Sequence, residues 1–409
     1  MSFEMPPAQP RSLLRVLALA LGSALVLAAV LAVLLAQGND LWLPPGLQTL
    51  GHPLYRVAFW ITLPAQWLVL FFVPAANHHV PAQNAPIASL ITGLGMAGVW
   101  LMMRKWPGDR PTINEPEPSR RDLLATIAVG LGGAAVLSGI GLGTWGVLVE
   151  PTRLRLRRYT LPIRGLPAWA EGLRIVQLSD THYGPYVPLP YLRRAVAMAN
   201  ELGADVVALT GDYVHRTPKS IPDGVGVLCG LEARLGRFAV LGNHDNWEGP
   251  EACRAAFRAG GVRMLDHTHV FLGPEGPTDT PGPDRLCLAG FGDLWEDRGP
   301  PEAALEGVPE DTPRVVLSHN PDYAEYLPEG LRVDLMISGH THGGQVFVPG
   351  KGTPKIPSNF GQWYAGGICQ GPSCPVVVSR GVGMAYLPVR LGIPPEIVEI
   401  TLTRAPEPA

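Results

Sequence analysis

Leu173 to His182 reads LRIVQLSDTH, an apolar run of strand length closed by an aspartate and a histidine. The same grammar recurs further on, in Asp205 to Asp212 (DVVALTGD), Arg237 to Asp245 (RFAVLGNHD), Arg314 to His319 (RVVLSH) and Asp334 to His342 (DLMISGHTH). Short runs rich in Val, Ile and Leu predict buried strands. Between the first two, Leu189 to Leu202 (LPYLRRAVAMANEL) spaces its apolar residues as a helix does and ends at Gly203. Pro250 to Ala259 predicts a second helix, closed by Gly260 and Gly261. Strands alternating with helices give an α/β sandwich, in which ligands bind beyond the carboxyl ends of the strands. Every cluster of polar residues falls at that end.

The residue types in those clusters point to a chemistry. Carboxylate, imidazole and amide oxygen suit divalent ions such as Mn²⁺, Fe²⁺, Zn²⁺ or Mg²⁺, and the lack of cysteine argues against a closed structural zinc site. One carboxylate can bridge two ions. Two ions about 3.5 to 4 Å apart stabilise the attacking and leaving oxygens of an in-line displacement at phosphorus and acidify a shared water, so that hydroxide on the metals becomes the attacking species near neutral pH. Phosphoester hydrolysis follows.

At these residues the chain resembles the calcineurin-like metallophosphoesterases, whose pattern is D-x-H, G-D, G-N-H-[DE], a lone H and G-H-x-H. The resemblance covers roughly Leu173 to Leu402, and no element of the pattern is missing. It implies a four-layer αββα sandwich. It also implies that Asp180, His182 and His342 hold one metal, that Asn243, His319 and His340 hold the other, and that Asp212 bridges them. His244 takes a different role in this family, contacting the phosphate and protonating the leaving oxygen, with Asp245 beside it as an orienter. Val376 to Leu402, together with Gly343-Gly344-Gln345, is similar to the membrane-associated bacterial branch.

One stretch departs from a related pattern. The phosphoprotein phosphatase branch carries G-D-x-x-D-R-G, whose second Asp pairs with the catalytic histidine. Here Gly211 to Thr217 reads GDYVHRT, so His215 stands where that acid would be. This argues against a serine/threonine protein phosphatase. It leaves the partner of His244 open, and His215 is either structural or substrate-contacting.

The first part of the chain has another character. Residues 1–150 are poor in charge, and Val16 to Ala36 (VLALALGSALVLAAVLAVLLA) is an uncharged run long enough to cross a bilayer, which takes about 20 residues. Val57 to Val73, Ile87 to Met103 and the glycine-rich Leu123 to Val149 suggest further spans, about four in all. The first exceeds a signal-peptide core and is followed by more apolar segments, which favours retention. Arg104, Lys105, Arg110, Arg120 and Arg121 precede the fourth span and place that loop in the cytoplasm by the positive-inside rule. The catalytic domain then faces outward, and Ser119 to Leu124 also resembles a twin-arginine export signal. Arg153, Arg155, Arg157 and Arg158, just after the span, pull the other way. They alternate with Leu154 and Leu156 as a strand would, and either form a solvated face or attract anionic lipid.

Of the 409 residues, charged types make up 16%, and the formal net charge of −3 leaves no basic footprint for nucleic acid. Cys229, Cys253 and Cys287 read as core residues. Cys369 and Cys374 flank a turn-forming spacer, and a disulfide between them is plausible in an oxidising compartment. The organisation expected is a membrane region at 1–150, a basic juxtamembrane segment at 151–172, the metallophosphoesterase domain at 173–403 and a tail at 404–409. The function expected is a membrane-anchored, two-metal hydrolase of a phosphomonoester, phosphodiester or pyrophosphate bond, integral to a bacterial cell membrane, with a phosphorylated lipid or envelope intermediate as substrate. Two readings compete with it: a hydrolase of soluble phosphoesters, and an inactive membrane sensor or scaffold. The complete set of metal-type residues and the presence of His244 speak against the second. Oligomeric state is not set by the sequence.

Overall fold

The structure is a computed structural model that describes residues 142–406. The first three expected spans, and all but the end of the fourth, lie outside the described residues. Among the described residues no helix is long and apolar enough to cross a membrane. From Trp145 onward the chain forms a compact unit built on two β-sheets.

The first sheet has six strands: β1 (Arg155–Ile163), β2 (Arg174–Leu178), β3 (Val206–Thr210), β4 (Gly236–Val240), β5 (Arg263–Met264) and β13 (Glu396–Arg404). Their order is β1-β13-β2-β3-β4-β5. Strands β2 to β5 run parallel, and β13 lies antiparallel to β2. The second sheet has seven: β6 (Thr268–Gly273), β7 (Gly276–Thr278), β8 (Leu286–Gly290), β9 (Arg314–Leu317), β10 (Leu335–Ser338), β11 (Gly367–Gln370) and β12 (Pro375–Val378). Their order is β11-β12-β10-β9-β8-β6-β7. Strands β8, β9, β10 and β12 run parallel at its centre.

Side-chain alternation explains why the central strands read as unbroken apolar runs. In β2, Ile175 faces the second sheet while Val176 and Leu178 face outward, and both faces are buried. The inter-sheet core takes Ile175, Val206, Phe238 and Ile400 from one sheet and Val270, Leu288, Leu317 and Ile337 from the other. Gln177 occupies the same inward row nearer the strand end. Its amide donates to Thr210 Oγ1 and to Ser338 O, both at 2.8 Å, and so ties the sheets together beside the polar clusters.

The outer face of the first sheet is covered by α1 (Leu189–Asn200), α2 (Ile221–Leu228) and α4 (Pro250–Ala259), which follows the short α3 (Asn243–Glu248). Helices α1 and α4 sit where the sequence places them. The outer face of the second sheet is closed mainly by irregular chain: 3₁₀ turns at Pro321–Tyr326 and Gly361–Tyr364 and the four-residue α5 (Pro301–Ala304). The two sheets and their mixed α/β cover are as expected, but this last layer is turns rather than long helices. Prolines at 300, 301, 321 and 328 and glycines at 299, 330 and 361 interrupt any helical run there.

Two expectations change. Residues 151–172, expected as a separate juxtamembrane segment, supply β1, which pairs with β13 from Arg155↔Glu396 to Ile163↔Arg404. Arg157 and Arg158 face Glu396 and Glu399 of β13 at 3.6 and 2.7 Å, and charge along an exposed edge discourages pairing with another chain. Cys369 and Cys374 are free and buried rather than bridged. The β11–β12 register sets Cys369 opposite Val376 and leaves Cys374 in the turn, where its carbonyl accepts from Gly371 N at 3.0 Å.

Phe238→Ala should remove an anchor of the inter-sheet core and cost about 3 to 5 kcal/mol. Arg155→Ala on the exposed edge should stay within about 0.5 kcal/mol of the parent. Urea unfolding of the detergent-solubilised chain, followed by tryptophan fluorescence, checks both; equal midpoints would mean that Phe238 does not anchor the sheets.

Candidate metal centre

The carboxyl ends of β2, β3 and β4 meet those of β9 and β10, and each delivers polar side chains to one point. Asp180 and His182 follow β2, Asp212 follows β3, Asn243 and His244 open α3 after β4, His319 follows β9, and His340 and His342 follow β10. The loops are laced together by backbone hydrogen bonds: Asp180 N to Gly211 O at 2.9 Å, His182 N to Asp212 O at 3.0 Å and Gly339 N to His319 O at 3.0 Å.

Sharp turns are needed to bring consecutive side chains inward. Asp180, His182, Asp212, His340 and His342 have φ of 52°, 44°, 57°, 69° and 52°. In that left-handed region an L-residue is disfavoured by about 1 to 2 kcal/mol. Side chain to backbone bonds offset the strain. His340 N donates to both Asp180 carboxylate oxygens at 3.0 and 3.1 Å, and His244 N donates to Asp212 Oδ1 at 2.8 Å. Two glycines leave the necessary room: a Cβ on Gly242 would collide with the Asp212 carboxylate, and one on Gly339 with Ser179 and Asp180.

The side chains form two groups that meet at Asp212. In one, His342 Nε2 lies 3.2 Å from Asp180 Oδ1 and 2.9 Å from His182 Nε2. In the other, His319 Nε2 lies 3.2 Å from Asn243 Oδ1 and 3.1 Å from His340 Nδ1. Asp212 Oδ2 stands between them, 3.5 Å from His182 Nε2 and 3.3 Å from His319 Nε2. The potential donor atoms lie within 4.8 Å of one another in each of three groups: Asp180, His182 and His342; Asp212, His319 and His340; and His182, His215 and His244. Thus the seven residues singled out in the sequence as metal-type come together in two sets with one shared carboxylate.

The charges show what the cluster demands. Burial works against ionised Asp212, yet His319 and His244 hold its carboxyl well below the usual carboxylate range. Burial would lower His319, but Asp212 and Asp180 raise it to about 10. Burial and the neighbouring His319 push His340 down to about 3, and burial holds His182 well below its ordinary value.

A divalent cation fits these residues. His319 Nδ1 is 2.8 Å from Thr210 O, so one proton sits there, and its Nε2 faces Asp212 and Asn243 Oδ1, acceptors that only a second proton on His319 or a cation can satisfy. His182 and His342 likewise point ring nitrogens at each other. Lone pairs converging on lone pairs in a buried pocket need positive charge between them. Carboxylate, imidazole and amide donors without thiolate match a hard to borderline ion, so the clusters are able to hold metal.

His244 lies at the edge of the cluster, with its ring 4.8 Å from that of His182 and 4.6 Å from that of Trp247. Asp245, expected to orient it, is instead consumed by backbone. Its carboxylate accepts from Asp212 N at 2.7 Å, Tyr213 N at 2.8 Å and Gly242 N at 3.0 Å. Burial and Asp212 push that carboxyl up to about 8, against those donors. The partner of His244 is His215, Nδ1 to Nδ1 at 3.2 Å.

Other neighbours gave no signal in the sequence. Asp293 is fully buried near His319, caps Trp295 N and Glu296 N, and is raised to about 6 by burial. Arg390 is fully buried, donates to Gly383 O and Ile393 O, and reaches His342 Nδ1 at 3.4 Å. Both follow from packing between segments distant in sequence. Of the remaining histidines, His267 pairs with Asp297 at 3.3 Å and His269 contacts Ala304 O at 3.0 Å, while His78 and His79 lie outside the described residues.

A family profile described as calcineurin-like phosphoesterase matches residues 173–344. The chain is 33% identical over 287 residues to phosphodiesterase YaeI of Escherichia coli (strain K12), covering 69% of this chain and 98% of that protein. It is 31% identical over 254 residues to a transmembrane protein with metallophosphoesterase domain from Danio rerio, covering 60% of this chain and 56% of that one. It is 28% identical over 303 residues to the UDP-2,3-diacylglucosamine pyrophosphatase LpxG of Chlamydia trachomatis serovar D, covering 62% of this chain and 90% of that protein.

Gly242→Ala tests the geometry of the shared carboxylate. The added methyl should displace Asp212 and lower manganese content by at least about half, while the circular dichroism stays that of the parent. Elemental analysis after dialysis reads the metal; full occupancy would show that Asp212 need not hold this position.

Proposed function

The chain belongs to the calcineurin-like phosphoesterases, and from that premise we propose a membrane-anchored hydrolase that uses two divalent ions, drawn from Mn, Fe, Zn or Mg, on a phosphorylated lipid or envelope intermediate. That it is a metal-dependent phosphoester hydrolase follows from the family and from relatives named phosphodiesterase and pyrophosphatase. The observation that carries the two-ion reading is Asp212, which is common to both donor sets. Asp180, His182 and His342 hold one ion, and Asn243, His319 and His340 hold the other. When bound, such ions neutralise phosphate charge and acidify water. His244, only 6% exposed and beside the pocket, contacts the phosphate.

The lipid substrate is supported by the mouth of the site. Trp295 packs its ring 4.4 Å from that of His340, Trp247 packs against His244, and Tyr386 lies 6.3 Å from His244. All three are exposed, as are Leu387, next to Tyr386, and Phe347, whose N–H donates to Leu391 O at 2.8 Å, and an apolar rim of this kind suits a surface that meets lipid. The loop bearing Tyr386 and Leu387 is tied to the incoming chain, through Arg390 N to Gly146 O and Gly392 N to the Glu150 carboxylate, both 2.9 Å. Upstream lies the apolar run Val16 to Ala36, which supports anchoring. Charge contributes less, because Arg157 and Arg158 already face Glu396 and Glu399. The basic loop before the fourth apolar segment favours an outward-facing catalytic domain.

Asp212→Asn should lower turnover at least about 10³-fold and deplete metal, since it removes the charge shared by both sets. Wild-type hydrolysis at full occupancy would exclude the two-ion reading. The substrate class is tested separately: Phe347→Ser with Leu387→Ser should slow hydrolysis of a phosphatidic acid vesicle about tenfold and leave nitrophenyl phosphate unchanged. Parallel losses on both, or none on the vesicle, would favour a soluble ester.

A further inference from the structure

Arginine cannot accept a hydrogen bond, and this fixes the direction of a short relay beside the metal centre. Arg216 Nε lies 3.1 Å from His215 Nε2 and must donate to it. That makes Nε2 the lone-pair nitrogen of His215 and puts its single proton on Nδ1. His215 Nδ1 is 3.2 Å from His244 Nδ1, so it donates, and His244 Nδ1 accepts. The proton of His244 is thereby left on Nε2, at the other end of its ring. A doubly protonated His215 would set N–H against N–H at Arg216. Burial, His244 and Arg216 push His215 down to about 3, in keeping with a neutral ring.

We propose that His215 is a positioning residue, which holds His244 as the Nε2–H tautomer and so presents a fixed hydrogen-bond donor to a phosphoryl or leaving-group oxygen. The proposal rests on the reading of His244 as the phosphate-facing residue. It gives a physical meaning to the departure at position 215. An aspartate in that place would accept from His244 Nδ1–H and favour a ring protonated on both nitrogens, whereas His215 reverses the polarity of the contact and leaves His244 neutral with its one proton on Nε2. His244 needs this support because, among the described residues, its other hydrogen bond runs through its backbone, to Asp212 Oδ1, and does not fix the ring. The tight approach of Gly184, where a Cβ would meet His215 O at 2.6 Å, keeps the His215 backbone in place. His215 N also donates to Tyr183 O at 3.1 Å, so the ring is delivered from a fixed strand-like bridge between the first two metal-bearing loops.

The test is a long-range ¹H–¹⁵N correlation spectrum of the zinc-loaded, detergent-solubilised full chain with labelled histidine, with His244 assigned by its loss in His244→Gln. Wild type should show the His244 proton on Nε2. His215→Asn keeps an N–H donor near the same point and should preserve that tautomer with kcat within about threefold. His215→Asp should place a proton on His244 Nδ1, abolishing the lone-pair ¹⁵N shift at that nitrogen, and should shift the pH profile of kcat upward with little change in KM. Arg216→Met, which frees His215 Nε2, should give a mixture of tautomers. A wild-type His244 protonated on Nδ1 overturns the proposal, as does a His215→Asp protein with the wild-type tautomer. If His215→Asp does not fold, the wild-type and Arg216→Met spectra decide. The tautomer is read without substrate, so failure to hydrolyse a lipid leaves this result standing.

Discussion

A single buried carboxylate, Asp212, is the constraint on which the site depends. One oxygen faces histidines from both donor sets, and the other accepts the backbone N–H of His244. Its own N–H donates to Asp245, and its carbonyl accepts from His182 N. Every loop of the first sheet that reaches the site is therefore bonded to Asp212. A charge buried this way is costly unless surrounded by positive charge or donors. The high affinity of His319 for a proton, the left-handed turns and the missing Cβ at Gly242 all follow from accommodating it.

The two-sheet architecture supplies the second requirement, which is rigidity. Parallel strands buried on both faces end at the same level, and Gln177 fastens one sheet to the other just beneath the clusters. Strained backbone at Asp180, His182, His340 and His342 persists because the core around it is closely packed.

Around this fixed centre lie a second histidine and an aromatic rim. His215 replaces an acid beside His244 and pairs with it ring to ring, while Trp247, Trp295 and Tyr386 surround the mouth with apolar surface.

The sequence by itself determined the five strands that end at the site and the two long helices on the first sheet, and it showed where the metal-type residues stand, because each lies where an apolar run stops and period and residue type are local properties. The separate role expected of His244, adjacent to Asn243, came from the family resemblance rather than from any local pattern. Tertiary structure alone decided the rest. It gave Asp245 to backbone N–H groups and His215 to His244, because hydrogen bonds between loops depend on the angle at which two strands end. It joined Arg155 to Ile163 to β13, more than two hundred residues away, since the alternation of arginine and leucine marks a strand but not the strand it pairs with. It buried Asp293 and Arg390 beside the clusters for the same reason. A local pattern records which chemistry a chain carries, and only packing records which partner each group finds.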